Sequence, residues 1–110
     1  VDALKAWEAG IDSVLRSAPC LVAAMAPGPA PNRMVDLTLA LSYLELAAPQ
    51  YGLGTCWAGL LQGAMLANPA LKQAVGVPQD YAFHYPMMVG YANVRYYRLP
   101  ERQAPKIHWR

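Results

Sequence analysis

The chain has 110 residues, of which 55% are hydrophobic and only 15% charged, with a formal net charge of +2. That length fits one small domain or part of one, and because a soluble domain averages about 25% charged residues, the composition points to surface hidden against a partner. Nucleic-acid binding wants basic residues spread over one face, whereas here they gather after Arg95, at Arg98, Arg102, Lys106 and Arg110, interleaved with Tyr96, Tyr97 and Trp109 and with too small a net charge to carry that function.

Asp2 to Ser17 places Leu4, Trp7, Ile11, Val14 and Leu15 at helical spacing with charged residues between them, which predicts an amphipathic helix. Asp2, Glu8 and Asp12 then belong to its solvated face. With Lys5 and Arg16 also in this stretch, and no run near the roughly 18 apolar residues that span a bilayer, neither a signal peptide nor a membrane anchor is expected. Pro19 ends the helix, and the continuous apolar run Cys20 to Ala26 predicts a short strand buried on both faces. Ala26 to Arg33 is a proline-rich connector. Met34 to Gln50 carries apolar residues all round the wheel, from Leu37, Leu39 and Leu41 to Leu44, Leu46 and Ala47, and predicts a helix buried on most sides. Its polar exception, Glu45, reads as a partnered or solvent-edge carboxylate.

Gly52 to Gly59, GLGTCWAG, follows as a glycine-rich turn, and Leu60 to Leu66 as a short apolar helix. Glycine at such a position also serves simply to stop the preceding helix. Asn68-Pro69 reads as an N-cap with proline at the first helical position, and Gly76 as the residue that closes Ala70 to Val75. Tyr81 to Tyr91 predicts a second apolar strand, with Pro86 implying an edge or a bulge. Tyr96-Tyr97 and Lys106 to Trp109 are candidates for further strands. Cys20 and Cys56 fit no CxxC zinc or redox pattern and read as two reduced, buried thiols of a cytoplasmic protein. His84 and His108 have no partner at catalytic spacing and read as strand-end or surface histidines.

An aspartate-headed apolar helix (Asp36 to Ala48), the GLGTCWAG run, a short helix (Asn68 to Gly76), a strand ending Val-Gly-Tyr (His84 to Tyr91) and a closing basic segment containing YYRLPER (Arg95 to Arg110) occur in that order. In this combination, from Asp36 to Trp109, the chain resembles the FMN-dependent nitroreductase family. The resemblance implies an α+β fold with helices packed around a mainly antiparallel sheet, and a homodimer with two FMN sites at its interface and its C-terminal strands exchanged. It also implies that the chain corresponds to the C-terminal portion of the family's domain, since the usual Arg-rich N-terminal segment has no counterpart here.

The resemblance further implies NAD(P)H as co-substrate and a ping-pong cycle in which FMN passes a hydride to an electron-poor acceptor such as a nitroaromatic or quinone. Backbone amides aimed at the flavin ring would come from Ala58 and Gly59, with Cys56 and Trp57 lining the same edge. Relatives often carry Glu where Ala58 stands, and Trp57 is equally at home as a core aromatic. Arg98 matches the family's C-terminal phosphate contact, with Arg102 as second choice, arginine being suited to phosphate by its forked donors. No side chain is required as catalytic acid or base, no metal is implied, and the acceptor is a small molecule. The alternative from another class is a non-catalytic dimerisation or interaction module derived from the same fold.

Overall fold

The computed structural model describes residues 2–110. Four helices, α1 (Ala3–Glu8), α2 (Arg33–Ala47), α3 (Gly59–Ala67) and α4 (Pro69–Ala74), surround three strands, β1 (Cys20–Ala26), β2 (Gly54–Trp57) and β3 (Phe83–Gly90). The strands form an antiparallel sheet of order β1-β3-β2, an α+β arrangement.

The first helix is far shorter than its periodicity predicts. The Asp2 carboxylate accepts the Leu4 amide at its start, but Gly10 takes φ of 76° and folds the chain back, with Gly10 N–H donating to Trp7 O and Ile11 N–H to Ala6 O. Asp12 therefore lies outside the helix. Its carboxylate instead accepts the amides of Val14, Leu15 and Ser17, which holds the following loop and pushes its own pKa below the usual value.

Helix α2 runs close to its expected bounds. Pro49 cannot donate to the carbonyl of Glu45, so the α-helix gives way to a 3-10 turn over Ala48–Tyr51. Gly52, at φ 72°, then closes that turn, its N–H donating to Pro49 O while Leu53 N–H reaches Ala48 O. The stop releases the chain directly into β2, so the GLGTCWAG run is a helix stop followed by a strand rather than one glycine-rich loop.

β3 is the central strand and contains Pro86, contrary to the edge or bulge expected of a proline. Its carbonyl accepts Ala58 N–H at 3.0 Å, just where β2 has ended. The N–H that Pro86 lacks would face the Ala58 carbonyl, and that carbonyl instead accepts Gln62 N–H at 2.9 Å and so opens α3. The proline therefore leaves no carbonyl of β2 without a donor there.

Along β3 the side chains alternate. Met88 joins Ala58, Leu61, Met65 and Val77 in the core beneath α3 and α4. On the opposite face lies α2, which buries Leu37 and Leu41. As expected, Asn68 caps α4 by accepting from Ala70 and Leu71, and Gly76 closes it.

Two expectations of burial fail. β1 is an edge strand and only half-buried, so Cys20, like Cys56 on the other edge, is an exposed free thiol. The register puts Cys20 beside Val89 and Cys56 beside Met88, on opposite faces of the sheet. Helix α2 is not buried on most sides either: Val35, Leu39, Tyr43 and Leu46 are exposed.

Residues 91–110 form neither expected strand and are exposed throughout. Correspondingly, the radius of gyration is 16.7 Å, against about 13 Å for a compact chain of this length. The accessible surface is 9062 Å², where about 6,000 Å² is usual for this mass.

Candidate functional site

β2 carries Trp57 to the end of its pairing with β3, opposite Met87. The indole Nε1–H donates to Glu45 Oε2 on α2 at 2.9 Å. Its ring meets Tyr85 of β3 edge to face, with centroids 5.5 Å apart and planes at 71°. The Tyr85 hydroxyl in turn lies against Gly59, the first residue of α3, where an added Cβ would sit 3.4 Å from it. Glu45, Trp57, Tyr85 and Gly59 thus form one continuous cluster drawn from α2, β2, β3 and α3.

The residues expected to face a cofactor divide between this cluster and the tail. Ala58 is buried and its amide is committed to the Pro86 carbonyl, so it offers no donor. Gly59 is exposed. Its amide and that of Leu60 belong to the first turn of α3, whose first internal bond is made by Gln62 N–H and which has no side-chain cap. The Cys56 thiol is exposed and reaches only the carbonyl of Trp57, at 3.7 Å. Arg98 and Arg102 are exposed on the tail, where Arg98 lines a shallow surface groove with Leu99, Pro100 and Glu101.

Sequence reading missed Tyr85 as a site residue and placed His84 at a strand end or surface. His84 is in fact buried, 2% exposed, and its Nδ1 lies 2.9 Å from Gln62 Oε1 of α3, a contact in which the imidazole N–H donates. Desolvation, reinforced by the nearby charge of buried Lys72, lowers the His84 pKa below its ordinary value. Lys72 Nζ donates to the Gln79 carbonyl. Gln62 sits in a stretch that reads as apolar helix and Lys72 in one that reads as a short capped helix, so no local pattern marks them.

A separate apolar groove of about 470 Å³ lies between α1, residues 11–15 and Leu61. It shares no lining residue with the Trp57 cluster. Among the described residues no group of three potential metal ligands comes together, and no helix is long and apolar enough to cross a membrane.

The model of the nitroreductase family matches residues 1–91. The chain belongs to the nitroreductase family. Membership places it, at a coarse level, among flavin-dependent oxidoreductases. No curated protein and no solved structure matches the chain. The family match covers β1 to β3 and the whole Trp57 cluster and ends at Tyr91, so Arg98 and Arg102 lie beyond it.

A flavin ring edge requires N–H donors and a flat apolar flank. The open first turn of α3 at Gly59 and Leu60, beside the indole of Trp57, meets both requirements. The phosphate end requires fixed cations, and among the described residues nothing holds Arg98 or Arg102 against that turn.

Proposed function

We propose that this chain is an FMN-dependent oxidoreductase of the nitroreductase type, acting in the cytoplasm as a homodimer. Bound FMN supplies hydride transfer from NAD(P)H to an electron-poor small molecule such as a nitroaromatic or quinone, in a ping-pong cycle. The observation that carries this reading is the position of Trp57 beside the open turn at Gly59, inside the residues that the family model matches.

In this reading the amides of Gly59 and Leu60 donate to the electron-rich edge of the ring and Trp57 flanks it, whereas Cys56, paired with Met88 rather than Met87, points to the other face of the sheet and away from that flank. No side chain needs to titrate, because backbone donors stabilise the charge that develops there. Arg98 and Arg102 supply the phosphate contact once the tail is fixed by a second copy. The exposed stripe Val35, Leu39, Tyr43 and Leu46 on α2 and the excess surface of the isolated chain support such a partner. C-terminal strand exchange would also cover the unpaired outer edges of β1 and β2.

The purified protein should show a flavin absorption band and release FMN on heating in a ratio near one per chain, and NAD(P)H should bleach the band. A colourless protein that cannot be reconstituted with FMN would overturn the proposal. That outcome would favour a non-catalytic interaction module, a reading supported by the exposed, unanchored positions of Arg98 and Arg102.

A further inference from the structure

Glu45 is the polar exception on an otherwise apolar helix, and the structure gives its carboxylate a specific neighbour. Its Oε2 accepts the indole N–H of Trp57 at 2.9 Å, joining the last turns of α2 to the end of β2. Tyr85 holds the same indole by its ring, 5.5 Å away and at 71°. An aromatic side chain at the end of an edge strand ordinarily has several rotamers open to it. Engaged at both N–H and ring, Trp57 is favoured in the one that makes both contacts. In another rotamer the indole would be free to leave the neighbourhood of Gly59, whose side is already bounded by the Tyr85 hydroxyl.

We infer that Glu45 is a positioning residue for flavin binding, acting through its hydrogen bond to the Trp57 indole to hold that ring beside the open first turn of α3. Glu45 does not itself touch the cofactor. The inference rests on the flavin reading above and adds to it the residue that orients the flank of the site.

The test uses a background carrying Trp7→Phe and Trp109→Phe, both at exposed positions, so that Trp57 is the sole indole. FMN is titrated by quenching of its fluorescence into this parent, Glu45→Gln and Glu45→Leu. Indole emission and near-UV circular dichroism are recorded without FMN.

The Gln amide oxygen accepts the same N–H, so Glu45→Gln should keep the parent spectra and bind FMN within about twofold. Glu45→Leu should shift the emission and weaken FMN about five- to tenfold, the net scale of one ordinary hydrogen bond, since this one is exposed to solvent. A further variant, Trp57→Phe, keeps a ring against Tyr85 but loses the donor. Adding Glu45→Leu to it should cause no further loss.

Parent-like affinity in Glu45→Leu, an equal loss in Glu45→Gln, or additive losses with Trp57→Phe would each overturn the positioning role while leaving the flavin site standing. A parent that takes up no FMN would instead overturn the flavin reading, and this inference with it.

Discussion

The same chemical change, glycine to alanine, should have opposite effects at two positions. Gly52 sits at φ 72° and closes the turn that delivers the chain into β2. There is open space around its missing Cβ, so the cost of Gly52→Ala is conformational alone. Placing an L-residue in the left-handed region costs about 1–2 kcal/mol. Gly63 lies inside α3, also with nothing within 4 Å of an added Cβ, and at a φ that alanine adopts freely. Gly63→Ala should therefore stabilise by about 0.5–1 kcal/mol, through the lower entropy of the unfolded chain. With an unfolding entropy of about 2 cal/mol/K per residue over the structured part, 1 kcal/mol moves Tm by roughly 5 °C. Gly52→Ala should lower Tm by about 5–10 °C and Gly63→Ala raise it by about 2–5 °C, read by circular dichroism at matched concentrations. A Tm unchanged or raised by Gly52→Ala would refute the reasoning, because it would mean that the left-handed stop at Gly52 is not what ends the helical segment.

Stability should also fall as the pH drops below about 6.5. The unfolded chain binds a proton at His84 more readily than the native chain, in which burial and Lys72 lower its pKa, so stability is full above the ordinary histidine value and declines beneath it. Denaturant midpoints at pH 8, 6.5 and 5 check this, and a His84→Gln variant should flatten the slope. Asp12 adds a second decline at lower pH, below about 3.8, as the carboxylate that accepts the loop amides becomes protonated. Met87 is fully buried at the centre of the sheet, so Met87→Ala should cost about 2–5 kcal/mol in a urea titration. Removing Lys106–Arg110 should weaken the proposed dimer, and an unchanged elution volume on size-exclusion chromatography would count against C-terminal exchange.

What was legible in the sequence was mostly local. The strand Cys20–Ala26, the Asn68 cap, the closure at Gly76 and the extent of α2 each depend on residues within one turn or one strand of each other. The first helix is shorter than its pattern because the apolar spacing continues to Leu15 while Gly10 interrupts the backbone, and periodicity does not register a single left-handed residue. β2 is not legible locally because Gly54–Trp57 is short and lacks alternation, and it exists by pairing with residues 30 to 36 positions later. The same holds at the site: Trp57 and its glycine neighbours were visible as a run, but the Glu45 bond and the Tyr85 contact join separate elements and follow no spacing rule. His84 and Gln62 found each other in the same way, across β3 and α3.

The expectations that failed on burial concern two segments, helix α2 and the tail. Helix α2 was expected to be buried, and its Leu37 and Leu41 are, while Leu39, Tyr43 and Leu46 face outward. The tail was expected to form strands, and it lies exposed with Tyr96, Tyr97 and Trp109 almost wholly accessible. Charge is divided along the same line. Residues 91–110 hold five basic side chains and one acidic, while residues 1–90 hold four basic and six acidic. A basic, aromatic tail that does not pack on its own acidic body has complementary chemistry in the body of a second copy, where both the exposed stripe of α2 and the open sheet edges await cover. In the homodimer proposed here, burial on the sequence-predicted faces and anchoring of Arg98 or Arg102 would then come from a single event. Because part of that attraction is between exposed charges, dimer affinity should fall as salt is raised, and a dimer held by α2 alone would be nearly indifferent to it.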